Sequence, residues 1–407
     1  MAVFESGSEA HDDGPTLEWL RAAVQDAHVS FLIGAGTPSR LFSPLGDIEE
    51  ALTGIEASAG SRSAREIARA SVQAMFFDTV ISPNVGLTSG APEAIPVLRS
   101  YARFGQALNR LLLARRSSLL AKQISLFTTN VDLAFEVSFE RLGIALNDGF
   151  AGRFRPVYDP GGFGTMRLRS SPRYGHRSEV PTFDLYKLHG SVGWQWAATE
   201  SPTQEIVFDR DLADVRAVAE ALRPIRKDLI QLKDPASLNA AEIVEAASAL
   251  EPPKDLAAFV RAYGRLVIVN PEKTKFATTV LTETYYELIR RFANEMERES
   301  SVLFVHGFSF RDEHLRKIVV RAARTNPTLQ VVIFCFSPAD RTKYGDLIPD
   351  LDVPNRNIGY VVPPAGQSLD LDGLVDRFLL PMSSELPGRV DVANAAYGAV
   401  SEDPQGA

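Results

Sequence analysis

Seven short runs of β-branched and aromatic residues punctuate this chain of 407 residues: VSFLI (29–33), ISLFTT (124–129), FDLYKL (183–188), RLVIV (265–269), SVLFV (301–305), QVVIFCF (330–336) and IGYVV (358–362). Each is continuously apolar rather than alternating, the pattern of a strand covered on both faces. Between them stand apolar residues at helical spacing: Leu17, Leu20 and Val24; Leu98, Tyr101, Leu108 and Leu112; Tyr285, Leu288, Phe292 and Met296; Leu315, Ile318, Val319 and Ala322. Buried strands alternating with amphipathic helices specify an α/β protein built on a doubly wound parallel sheet. In such a sheet ligands bind beyond the carboxyl ends of the strands, so the residues that follow each run are the ones to inspect.

Two stretches break the alternation. Residues 47–120 and 210–262 are rich in Ala, Leu, Arg and Glu without a strong strand run, and they read as helical insertions in one domain spanning 14–382. The tail, 383–407, is polar and contains Gly and Pro, and is expected to be mobile. With 43 Lys+Arg against 51 Asp+Glu, the net charge of −8 offers no general attraction to phosphate backbones or anionic lipid. Nucleic acid would then be met only indirectly, through a partner, unless a local basic patch exists. The single cysteine, Cys335, lies in an apolar run and reads as a buried thiol; it can form neither an intrachain disulfide nor a thiolate zinc site. The acidic start MAVFESGSEAHDD has no basic segment leading into an apolar core, and no apolar stretch approaches the roughly 18 residues of a membrane helix. No membrane association and a cytoplasmic location are the expectations.

Three strand ends carry chemistry. After the first run comes Gly34-Ala35-Gly36-Thr37-Pro38-Ser39, where glycine would let the backbone approach a pyrophosphate; a plain strand-to-loop turn is the competing reading, since the GxGxxG pattern is incomplete. After the second comes Thr128-Thr129-Asn130-Val131-Asp132; the Asn130 amide can accept from a hydroxyl or water and donate elsewhere, or it can cap a helix over 133–142. After the third comes Lys187-Leu188-His189-Gly190-Ser191, placing at a strand end a histidine able to act as a general base, or equally a hydrogen-bonded structural one. His306 also ends a run and is a reserve candidate, His28 is read as ending a helix, and His314 lies within one.

Taken together these segments resemble the sirtuin family, in particular bacterial sirtuin-like NAD hydrolases of anti-phage defence. The similarity continues through Asn147-Asp148-Gly149-Phe150, Val269-Asn270-Pro271 with the downstream Tyr285, and Gly307-Phe308-Ser309-Phe310-Arg311-Asp312. The resemblance implies a Rossmann-like NAD site and cleavage of the bond between nicotinamide and ribose. By it, Asn130 orients the ribose and the attacking water, and His189 accepts a proton. Gly34, Ala35, Gly36 and Thr37 hold the pyrophosphate, Asp132 contacts the ribose or fixes its loop, and Asn270, Gly307, Ser309 and Asp312 face the adenosine side. For Asp132 a first-turn helix carboxylate competes with this role, for Ser309 and Asp312 a capping box, and for Asp148 and Gly149 a simple turn.

The chain also departs from the family's protein deacylases. One cysteine cannot build their four-cysteine zinc module, so no metal is expected, and the loop at Thr37-Pro38-Ser39-Arg40-Leu41-Phe42 lacks their usual continuation. Water as acceptor, giving nicotinamide and ADP-ribose, is the favoured reading. Among defence proteins, a stand-alone hydrolase of this size resembles the one paired with a HerA-type hexameric ATPase, which implies a homo-oligomer under partner control. The alternatives are a non-catalytic NAD- or ADP-ribose-sensing scaffold of an ATPase complex, and a protein deacylase or ADP-ribosyltransferase. A dehydrogenase leaves the Asn/His pair unexplained.

Overall fold

A computed structural model describes residues 2–5, 13–42, 48–115, 120–173, 175–197, 205–269, 279–349 and 353–383. Its strands are β1 (Ala2–Glu5), β2 (His28–Ile33), β3 (Gln123–Thr128), β4 (Ala145–Asn147), β5 (Phe150–Ala151), β6 (Val157–Tyr158), β7 (Arg167–Ser170), β8 (Arg177–Val180), β9 (Thr182–Lys187), β10 (Trp194–Trp196), β11 (Ile206–Phe208), β12 (Ser301–His306), β13 (Gln330–Phe334) and β14 (Ile358–Val362). The helices are α1 (Gly14–Gln25), α2 (Ile48–Ala57), α3 (Arg62–Phe76), α4 (Pro83–Ser89), α5 (Ile95–Ala114), α6 (Ala134–Leu142), α7 (Ala213–Leu222), α8 (Ala240–Ser248), α9 (Leu256–Tyr263), α10 (Thr279–Glu297), α11 (Glu313–Thr325), α12 (Pro338–Leu347) and α13 (Leu371–Leu374).

Eight strands form one parallel sheet in the order β1-β14-β13-β12-β2-β3-β9-β4. Alternation along each strand divides its side chains between two cores, because successive Cβ atoms point to opposite faces. Val29, Phe31 and Ile33 of β2, Ile124 and Leu126 of β3, and Val302 and Phe304 of β12 face a core built with α1, α2, α3, α5 and α6. Leu32, Phe127, Leu303 and Val305 face a second core built with α10, α11 and α12. That is why the runs are continuously apolar: both faces of the sheet are covered. The chain is a doubly wound α/β protein. Among the described residues no helix is long and apolar enough to cross a membrane.

Within the two long interruptions lie α2 to α5 and α7 to α9, and they are not separate caps. Helix α8 packs on α2 and α3, and α9 packs on α7 and α3, so both stretches merge into the helical layer over one face of the sheet. Cys335 is fully buried, and burial pushes its thiol up to about 12. The tail beyond Ser383 lies outside the described residues.

Two sequence expectations are corrected. RLVIV (265–269) is not a strand of the sheet: Ile268 makes an isolated antiparallel bridge with Gly190, while the outer edge of β9 is taken by β4. His28 begins β2 rather than ending a helix. The segments flanking β9 add a four-stranded antiparallel sheet, β10-β11-β6-β5, whose β5 and β6 precede β9 and whose β10 and β11 follow it, and the β7–β8 hairpin before β9. These strands are two to four residues long and carry no hydrophobic period, so they left no signal in the sequence.

Candidate functional site

Four neighbouring strands, β12, β2, β3 and β9, end at the same edge of the sheet, and the loops leaving them meet there. In that order they carry Gly307 to Asp312, Gly34 to Thr37, Asn130 to Asp132, and His189 to Ser191. The winding reverses between β2 and β12, the place where doubly wound sheets bind ligands.

Registration sets the central pair. Thr128 of β3 lies opposite Lys187 of β9, so Asn130 and His189 each leave the sheet two residues past paired positions. Thr128 holds the turn: its Oγ1 donates to the Ile33 carbonyl at 2.9 Å and accepts the Asn130 amide at 3.0 Å. The Asn130 Nδ2 donates to the Gly34 carbonyl at 3.1 Å, tying the β3 loop to the β2 loop. Asn130 is 7% exposed, and its Oδ1 is buried without a hydrogen-bond partner among the described residues. A buried amide oxygen left unpaired costs about 1–3 kcal/mol, so this acceptor marks a place for a hydroxyl or water. Two more buried hydroxyls lie nearby: that of Tyr101, which burial and the charge of Asp132 hold well above the usual tyrosine range while hydrogen bonding from the Asn130 side chain pulls the other way, and that of Tyr285 beside Gly190.

Asn130 is not a helix cap. Helix α6 starts later, at Ala134, whose amide is accepted by Asp132 Oδ1 at 2.9 Å, and the Leu133 amide is accepted by Asn84 Oδ1 at 3.0 Å. Asp132, 3% exposed, lies just before the helix rather than in its first turn, where the acid is Glu136, and it steadies the helix start through the Ala134 amide. Asn84, from the first helical stretch, braces the turn from behind.

His189 Nε2 lies 3.1 Å from Asp312 Oδ2. Asp312 is the N-cap of α11, with its Oδ1 accepting the Leu315 amide at 3.1 Å. Its carboxylate therefore caps a helix and holds a histidine at once. Burial alone would raise Asp312, but the hydrogen bond and charge of His189, with the Leu315 amide, outweigh it and bring it below the ordinary aspartate value. If Nε2 carries the proton shared with Asp312, the lone pair is on Nδ1. Ser309, three residues earlier, is exposed and is not the N-cap; among the described residues its Oγ accepts the Arg311 amide, at 3.5 Å. The Ser309–Asp312 capping box is therefore not formed; Asp312 is itself the N-cap.

In the glycine turn, backbone approach has a cause within the protein. A Cβ on Gly34 would stand 2.4 Å from the Gly307 carbonyl oxygen, and the two loops are laced by Gly34 N to His306 O at 3.0 Å and Gly36 N to Gly307 O at 2.9 Å. The Thr37 amide is likewise taken, by the Gly34 carbonyl at 3.1 Å. Thr37 Oγ1 lies 3.0 Å from Nδ1 of His306, whose Nε2 reaches the Leu369 carbonyl at 3.2 Å. Burial lowers His306, so this ring is neutral and bonded at both nitrogens, which removes it as a reserve base. Beside the turn opens a cleft of about 330 Å³ lined by Arg40, Arg99, Ser100, Arg103 and Asp372, in which Asp372 accepts from Ser100 at 2.7 Å and Arg103 at 2.7 Å.

Behind the site lies a buried ion pair that sequence reasoning missed. Lys187, 2% exposed, donates to the Asp132 carbonyl and reaches the Asn130 carbonyl at 3.5 Å and Glu136 Oε1 at 3.2 Å. Burial pushes Glu136 up to about 7 even though Lys187 pulls the other way. A lysine inside the run FDLYKL was the available signal, since a charge in a strand covered on both faces requires a buried partner.

At the fourth strand end, Gly190 has φ +74°, a left-handed backbone suited to glycine, and a Cβ there would meet the Val267 carbonyl oxygen at 2.3 Å. Segment 266–269 runs past it, with Val269 N to His189 O at 2.8 Å fixing the histidine's backbone. Asn147-Asp148-Gly149 forms a reversal at the end of β4: Asn147 Nδ2 donates to Asp184 at 2.7 Å, Asp148 Oδ1 accepts the Phe150 amide at 3.1 Å, and the half-buried Asp148 carboxylate lies within electrostatic reach of Lys187 and Glu136. Asn270 lies outside the described residues. The structure therefore gathers Gly34, Ala35, Gly36, Thr37, Asn130, Asp132, His189, Gly307 and Asp312 at one edge, and leaves Ser309 exposed at its margin. The chain matches no protein-family model, and no curated protein matches it in sequence.

Proposed function

We propose that this edge binds NAD and hydrolyses the bond between nicotinamide and ribose. The observation that carries the reading is the Asn130 amide: buried, tied to the glycine turn by its nitrogen, and presenting an unpaired oxygen at the end of the strand next to His189. Nicotinamide leaves a cationic ring as a neutral molecule, so no acid is needed for its departure; the site must place a nucleophile and stabilise a ribosyl cation. Asn130 Oδ1 accepts from the ribose or from the attacking water. As the water oxygen bonds to the anomeric carbon, the glycosidic electron pair passes to the pyridine nitrogen, and the water proton goes to the imidazole of His189. Asp312 holds that ring and stabilises its cation. The products are nicotinamide and ADP-ribose.

An enzyme that drains NAD is harmful when unregulated, which supports a role as an anti-phage effector held in a homo-oligomer and governed by a HerA-type ATPase partner. The test is to incubate the purified protein with NAD, alone and with the product of its neighbouring gene and DNA, and to follow nicotinamide and ADP-ribose by chromatography. Asn130→Ala and His189→Ala should release neither product while remaining folded and of wild-type size, as melting and size measurements check. Turnover unchanged in both variants would remove the assignment. NAD binding without release in every mixture would favour the sensing scaffold.

A further inference from the structure

We propose that the β7–β8 hairpin is a docking arm for duplex DNA, engaged through its phosphates. Residues 166–180 hold four arginines, Arg167, Arg169, Arg173 and Arg177, against one carboxylate, Glu179, in a chain whose net charge is −8. All four arginines are exposed, and none has a partner among the described residues. The one acid is turned inward, its Oε1 accepting the Lys122 amide at 2.6 Å. Four guanidiniums left without counter-charges on a narrow projection repel one another, and they are accounted for by an anion that comes from outside.

The distribution of charge selects the partner. In the antiparallel register, Arg167 and Arg169 lie opposite Val180 and Ser178 on one face of the ribbon, whereas Arg177 lies opposite Ser170 on the other. Arg173 sits in the turn, closed by Ser171 N to His176 O at 2.7 Å. A flat acidic protein would meet one face only. A groove with a phosphate wall on each side meets both faces and the tip, and the B-form major groove admits a two-stranded ribbon while the A-form groove is too narrow. Contacts of this kind are largely indifferent to sequence. This departs from the expectation that nucleic acid reaches the protein only through a partner.

The hairpin also lies at the far end of the strands from the candidate site. Of its anchors, Lys122 precedes and Gln123 begins β3, with Gln123 Nε2 donating to the Thr165 carbonyl at 3.0 Å, whereas Asn130 follows the end of that strand. DNA held there leaves the other edge open, and the proposal stands whatever reaction occurs at Asn130.

The experiment is fluorescence anisotropy of the full chain with a labelled duplex of about 20 bp, titrated at several salt concentrations. Four phosphate contacts give a log–log salt slope of about −3.6, so binding should weaken about 10²-fold between 50 and 200 mM salt. R167A/R169A/R173A/R177A should lose that binding and the slope while melting like the wild type, because all four side chains are exposed. R167K/R169K/R173K/R177K should keep both, which separates lost charge from a disturbed hairpin. An RNA duplex should bind more weakly. The proposal is overturned if the alanine variant binds DNA as the wild type does, if neither binds at the lowest salt, or if polyglutamate competes as well as DNA at equal charge, which would assign the arm to an acidic protein.

Discussion

Lys187→Met should separate what the buried ion pair does for folding from what it does for the candidate site. The substitution keeps the length of the side chain but removes the ammonium that holds the carbonyls of Asn130 and Asp132 and faces Glu136. Removing one member of a buried pair costs about 3–5 kcal/mol, mainly because the other charge is stranded. Glu136 has an escape: it already titrates at about 7, and without the lysine it takes up a proton at neutral pH. The loss should therefore fall near the lower bound, about 3 kcal/mol, and Lys187→Met/Glu136→Gln, which buries no charge, should recover about 1–2 kcal/mol of it. Urea unfolding at pH 7.5 reads both changes from the midpoint at constant slope. Well below the melting temperature the folded single variant should also release nicotinamide at least about 10-fold more slowly, because the Asn130 turn has lost its anchor. A loss under about 1 kcal/mol, or a double variant no more stable than the single one, would refute the reasoning.

Gly34→Ala places a methyl 2.4 Å from the Gly307 oxygen and 2.5 Å from Phe308 Cα, both backbone atoms that cannot swing away, so thermal or urea unfolding should show a loss of about 1–3 kcal/mol. Asp312→Asn retains an N-cap residue but removes the carboxylate from His189; the melting temperature should stay within about 2 °C while nicotinamide release falls about 10- to 100-fold, and equal losses of both would make Asp312 purely structural. Burial raises Glu136 to about 7 and Asp184 to about 6, so between their unfolded values and these the folded protein binds more protons than the unfolded chain. Their contribution to stability thus falls as pH rises through that window, while His28, lowered to about 4 chiefly by burial, acts in the opposite sense on acidification. Glu136→Gln should accordingly gain on the wild type by up to about 3 kcal/mol between pH 4.5 and 7.5 in urea unfolding, and a constant difference across that range would show that Glu136 does not titrate there.

The layered architecture was legible because it follows from local pattern: a run such as SVLFV is buried on both faces, and only a sheet between two helical layers buries it so. The strand-end segments were legible for the same reason, since residues following a parallel strand emerge at one edge whatever the strand order. Less visible was what joins those segments. RLVIV has the composition of a strand, yet it lies antiparallel to Gly190 because β4 holds the edge of β9, and composition does not encode that competition.

By itself, then, the sequence determined the class of fold and placed Gly34, Asn130 and His189 just past the carboxyl ends of strands. Tertiary structure decided their company. It paired His189 with Asp312 from 123 positions away, set Lys187 under the Asn130 turn, and made Gly34 a contact with Gly307. It also collected four arginines on a hairpin too short and too polar to be seen as strands. The physical reason is range: periodicity reports which face of an element is buried, whereas hydrogen bonds and ion pairs between distant loops depend on strand order, and only the folded sheet supplies it.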